Sequence, residues 1–165
     1  MISDKIREAL NAQINMEFNA SYIYLGMSTW SERHAFKGSA LWLRMQSREE
    51  QAHGMKLHHF LLARDCDVEL NPISKPPARY ESLLDVFEKA YEHEQRVSES
   101  IDAIYKLAFD EKAFAALVEL QWFLTEQVSE EQACREIVKQ LRMVKDDPSA
   151  VLELDRELST RATAA

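Results

Sequence analysis

Residues 65–80 read DCDVELNPISKPPARY. Three of the chain's four prolines fall here, at Pro72, Pro76 and Pro77. Proline lacks the amide N–H a helix interior needs, so the stretch predicts an extended connection between two helical blocks. About 15 residues at up to ~3.3 Å each can run the full length of a long helix. The neighbouring joins are short: RHAFKGS at residues 33–39, and a tight corner at Asp110. Short joins make antiparallel neighbours, and a single long one carries the chain back along the bundle. The expected fold is therefore all-α, a four-helix bundle with a long crossover between the second and third helices.

Helical patterning supplies the blocks themselves. The first is expected from about Ser3 to about Glu32, with Ser3 or Asp4 as N-cap. The second runs from about Ser39 to about Arg64, the third from about Glu81 to Phe109, and the fourth from about Glu111 to Lys145. A short fifth helix follows in DDPSAVLELDREL, with Asp147 at the N-cap and Pro148 at the first helical position. Length and composition agree with this reading. The chain has 165 residues, enough for a single domain over residues 1–165 with a sizeable core, and only 3 glycines and 4 prolines.

The formal net charge of −8 argues against nucleic acid and anionic membrane as partners and would instead gather cations. No apolar run approaches the roughly 20 residues a membrane helix needs. The opening MISDKIREALNA carries charge throughout and has no apolar signal core, which predicts a cytoplasmic protein. Cys66 and Cys134 lie far apart and form no CxxC, so structural thiols are expected rather than a disulfide or a zinc site.

The inward stripes carry the chemistry. They read Leu10, Gln13 or Ile14, Glu17, Ser21, Tyr24 and Ser28 on the first helix, and Leu43, Gln46, Glu50, His53, Leu57 and Phe60 on the second. The third reads Phe87, Tyr91, Glu94, Val97, Ile101 and Ile104; the fourth reads Leu120, Phe123, Gln127, Glu130, Cys134, Ile137 and Leu141. Each stripe is apolar at its ends and polar at its centre. In an antiparallel bundle the midpoints share one level. Four carboxylates (Glu17, Glu50, Glu94, Glu130), the His53 imidazole and the Gln127 amide should meet in one layer. Each buried carboxylate costs several kcal/mol, and like charges add to that. No Lys or Arg lies on these stripes at that level. Bound cations resolve the conflict. A Glu50-x-x-His53 pair sets two ligands about one turn apart on one face, and a carboxylate-rich set with one His suits iron or manganese.

This layout, together with NMEFNASYIYLGMS (15–28), LQWFLTEQVSEE (120–131) and ELDRELS (153–159), resembles the bacterial non-haem ferritins over essentially the whole chain. The resemblance implies a ferritin-like fold whose short fifth helix helps close a shell of twenty-four subunits. It implies a ferroxidase centre, with Glu17, Glu50 and His53 on one iron, Glu50 bridging, and Glu94 and Glu130 on the second. Gln127 would be a weak ligand or a close neighbour, and Tyr24 resembles the family's tyrosine beside the site. Fe²⁺ would be oxidised there by O₂ or H₂O₂ and stored as hydrous ferric oxide. A third iron position, by the same resemblance, would use Glu49, Glu126, residue 129 and Glu130. Here residue 129 is Ser129, which departs from that pattern.

Other relatives fit less well. Bacterioferritins place a second Glu-x-x-His on the fourth helix, where this chain has Gln127-x-x-Glu130, and hold haem through a Met where it has Gln51. No haem is therefore expected. Animal ferritins line a channel with acids ten and seven residues before the glutamine, positions held here by Leu117 and Leu120. Trp42 and Trp122 are expected to be packing residues, and His58, His59 and His93 surface histidines. Tyr22, Phe36 and Trp42, off the stripes, would suit contacts between subunits. Two rival readings remain: a di-iron oxidase or peroxidase of the same fold that stores no mineral, and a bundle whose polar layer only fixes register.

Overall fold

The computed structural model describes residues 2–160; residue 1 and residues 161–165 of the expected 1–165 domain lie outside them. Among the described residues the helices are α1 (Asp4–Arg33), α2 (Lys37–Ala63), α3 (Leu83–Asp110), α4 (Phe114–Val144) and α5 (Pro148–Leu158), and there is no strand. None of these helices is long and apolar enough to cross a membrane.

Local chemistry starts and stops each element. Ser3 caps α1 by accepting from the Ile6 amide at 3.3 Å, and Ser82 caps α3 by accepting from Asp85 at 3.1 Å. Asp147 takes the Ser149 and Ala150 amides of α5, with Pro148 at the start as expected. Three helices end on a non-glycine residue in the left-handed region: Ala35 (φ 66°), Asp65 (φ 55°) and Lys112 (φ 55°). The next amide then reaches back five residues, Phe36 to Ser31, Cys66 to Leu61 and Ala113 to Ala108.

Two boundaries differ from expectation. Helix α4 begins at Phe114 rather than near Glu111, because α3 runs through Asp110 and residues 111–113 form the left-handed stop. Helix α2 begins at Lys37 rather than near Ser39, and its cap comes from a distant helix. Phe36 offers no side-chain acceptor. Instead the buried Asp155 of α5 accepts from Gly38 N (3.1 Å), Ser39 N (2.7 Å) and Ser39 Oγ (2.6 Å). A Cβ at Gly38 would lie 1.7 Å from the Asp155 carbonyl oxygen, so glycine is required there.

The crossover is held by a ladder of asparagines one turn apart on α1. Asn11 accepts from Glu69 N (2.8 Å) and donates to Asp67 O (3.1 Å). Asn15 accepts from Asn71 N (2.7 Å) and donates to Glu69 O (2.9 Å). Asn19 accepts from Ser74 N at 2.9 Å. These amides supply an extended, strandless segment with the backbone partners a sheet would give.

Apolar contacts divide into two layers. One joins the C-terminal halves of α1 and α4 with the N-terminal halves of α2 and α3, through Tyr24, Met27, Trp42, Leu43, Phe87 and Leu141. The other joins the opposite ends, through Ile6, Leu10, Ile14, Leu57, Leu61, Ile101, Leu120 and Phe123. The division makes α1 antiparallel to α2, and α3 antiparallel to α4.

Candidate metal centre

At mid-height the four helices bring Glu17, Glu50, His53, Glu94, Gln127 and Glu130 together, each at most 5 % exposed. Glu17, Glu50 and His53 each offer a ligand atom within 4.8 Å of the others. A second set at the same spacing is His53, Glu126 and Glu130. His53 Nδ1 lies 3.2 Å from Glu50 Oε2. Two lone pairs would not rest at that distance, so a proton or a cation belongs between them.

Three glutamine amides organise the acids. Gln13 Nε2 donates to Glu17 Oε1 at 2.7 Å, and Gln46 Nε2 donates to Glu130 Oε2 at 2.7 Å. Gln127 Nε2 lies 3.2 Å from both the Glu94 Oε2 and its backbone carbonyl, and 3.3 Å from Ser98 Oγ. Tyr24, fully buried, donates its hydroxyl to Glu94 Oε1. No glutamine among the described residues bonds Glu50, which contacts His53.

Burial dominates the electrostatics. It pushes Glu17 up to about 7, partly opposed by the Gln13 amide. Glu50 is raised well above the usual carboxylate range by burial, then by repulsion from Glu94 and Glu17. Glu94 is raised by burial and held back by its bonds from Tyr24 and Gln127. Burial also lowers His53 to about 4, leaving a neutral imidazole with a lone pair to give. Two carboxylate oxygens, Glu17 Oε2 and Glu50 Oε1, are buried with no donor other than a proton the two carboxyls can share. Clustered acids, oxygens with no other donor and a neutral imidazole are what a divalent cation would satisfy, and the O/N donor set fits iron.

Several expected positions need correction or refinement. His93 is buried, not superficial, and sets its ring edge against Tyr24 with centroids 6.2 Å apart. The inward face of α3 is wider than one row of residues, and Ala90, His93 and Val97 share it. His59 is exposed and His58 half-buried. Trp42 is buried against Phe87, so it is a core residue and no surface contact; Tyr22 is exposed and Phe36 half-buried. Trp122 is partly exposed and packs its edge on His53. Leu120 lies in the core with Leu117 packed beside it. Of the residues expected at a third position, Glu126 and Glu130 are drawn together with His53, Ser129 is exposed, and Glu49 joins neither close set. Gln13 and Gln46 stood on the inward stripes without a role; their amide contacts give them one.

Residues 7–144 match the Ferritin family, described as a ferritin-like domain. A probable bacterial non-heme ferritin-like protein of Haemophilus influenzae is 33% identical over 165 residues, covering 100% of both chains. A bacterial non-heme ferritin of Campylobacter jejuni is 34% identical over 162 residues, covering 98% of this chain and 97% of that one. Among solved structures, a novel open pore ferritin from the archaeon Archaeoglobus fulgidus superposes with a TM-score of 0.95 at 42% identity, covering 96% of this chain and 98% of that one.

Proposed function

Because this chain belongs to the ferritin family, we propose that it stores iron, oxidising Fe²⁺ inside each bundle and holding Fe³⁺ as a hydrous ferric oxide within a homo-oligomeric shell of twenty-four subunits. The observation that carries the proposal is the pair of buried oxygens with no donor but a shared proton, Glu17 Oε2 and Glu50 Oε1, beside a neutral His53.

Fe²⁺ is the substrate. Two ions give up one electron each, and O₂ takes both with two protons to form H₂O₂, or H₂O₂ takes both with two protons to form water. The protein's part is binding, charge balance and orientation. Glu17, Glu50 and His53 hold one ion; Glu50, shared, reaches the second, which Glu94 and Glu130 also hold. Gln127 turns its amide N–H toward Glu94 and so orients that carboxylate. Tyr24 fixes the other Glu94 oxygen. Glu126, with Glu49 further off, supplies negative charge on the side of Glu130 through which a third ion or departing Fe³⁺ would pass. The site sits between two apolar layers that limit water and strengthen every charge interaction within it.

The test is to load the protein aerobically with Fe²⁺, desalt it and run size-exclusion chromatography with iron detection. Iron co-eluting with a shell-sized particle, far above two ions per subunit, is expected. Oxidation without retained iron would instead identify a soluble oxidase or peroxidase of this fold.

A further inference from the structure

A further buried oxygen lacks a hydrogen-bond partner, and it belongs to no carboxylate: the side-chain carbonyl of Gln46. Gln46 is 0% exposed and lies one turn before Glu50 on the same face of α2. Glu130 must be ionised to hold a cation, and a carboxylate can only accept, so in that state the NH₂ end of Gln46 faces Glu130 Oε2 at 2.7 Å. The carbonyl end of the same planar group is buried with nothing to accept from. A carbonyl oxygen buried that way calls for a donor or a cation.

The two metal positions differ in what they already have. The Glu17–Glu50–His53 side has a neutral nitrogen ligand. The Glu50–Glu94–Glu130 side offers three carboxylates; His53 also comes within 4.8 Å of Glu130 but is committed to the first position, and the nearby Gln127 turns its N–H end to α3. We propose that Gln46 completes this second position: its N–H orients Glu130, and its carbonyl oxygen is the neutral donor to the cation held there. The inference rests on the dinuclear reading above.

Anaerobic titration with Co²⁺, followed by d–d absorption and calorimetry, tests it without any turnover. The unaltered protein should bind two Co²⁺ per subunit inside the bundle. Gln46→Leu should keep the first and weaken the second by at least roughly tenfold. Gln46→Glu, which restores an oxygen donor but no N–H, should regain most of the second affinity. Unfolding curves of the metal-free variants check that both fold. Two unchanged affinities in Gln46→Leu would overturn the proposal. So would equal weakening of both positions, or a Gln46→Glu variant as weak as Gln46→Leu. Binding of fewer than two ions by the unaltered protein would instead refute the dinuclear reading, and this proposal with it.

Discussion

Tyr24 on α1 donates its hydroxyl to Glu94 on α3, joining the two helices that the long crossover sets side by side. Both residues are completely buried. The phenol is one of two donors that hold Glu94 down against the upward push of burial. Tyr24→Phe removes that donor and leaves the ring in place. The metal-free protein should lose about 1 kcal/mol of stability, and Glu94 should need a higher pH to ionise. Calorimetric metal titrations across pH will show the second position filling at higher pH than in the unaltered protein. An unchanged pH dependence would mean the bond is idle.

Glu50 is the acid shared by both proposed positions. Glu50→Ala should slow initial Fe²⁺ oxidation by at least about tenfold, since even residues outside the ligand set usually cost that much. Size-exclusion chromatography should show assembly intact, because the apolar layers on either side of Glu50 are untouched.

Stability of the metal-free protein should depend on pH with a sign set by the raised carboxyls. Glu17 is raised from 4.5 to about 7, so the folded state holds its proton more tightly than the unfolded chain. That contribution is complete below about 4.5 and disappears as pH rises through about 7; it amounts to something on the order of 3 kcal/mol. Glu50 and Glu94 act in the same direction. His53 and His93, lowered from 6.5 to about 4, act oppositely, but only between those values. Above 6.5 the carboxyls alone move. Melting temperatures without metal should therefore fall between pH 6.5 and 8, and divalent metal should reverse the fall while releasing protons. A flat metal-free profile would contradict the burial of these acids.

Asn15 makes two of the crossover's backbone hydrogen bonds. Asn15→Ala should cost about 2 kcal/mol, and hydrogen exchange should quicken at the Asn71 amide that Asn15 accepts from. Loss of stability without local exchange at Asn71 would place the effect elsewhere.

Asp155 caps α2 from α5. Asp155→Ala should cost about 1–2 kcal/mol and expose α5 to proteolysis before the bundle unfolds. Equal protease resistance would show that α5 is held by other contacts.

The bundle was legible because its signals are local: prolines confined to residues 65–80, Ser3 and Asp147 as caps, and one stripe per helix. The buried layer of acids, imidazole and amide was legible too, since antiparallel helices of similar length bring their midpoints to one height. What the sequence hid depends on contacts between distant segments. Asp155 is 116 residues from the Ser39 amide it caps, so the true start of α2 could not be seen. Gln46 and Gln13 look like ordinary polar residues until α4 and the next turn of α1 supply their partners. The Asn11, Asn15 and Asn19 spacing was visible, but its purpose needs the crossover lying alongside.

Iron-edge anomalous diffraction from crystals soaked anaerobically in ferrous salt tests the central claim most directly. Two peaks per subunit are expected, one among Glu17, Glu50 and His53, the other among Glu50, Glu94 and Glu130. Crystals with no peak inside the bundle, whose acids instead keep to hydrogen bonds and protons, would contradict it.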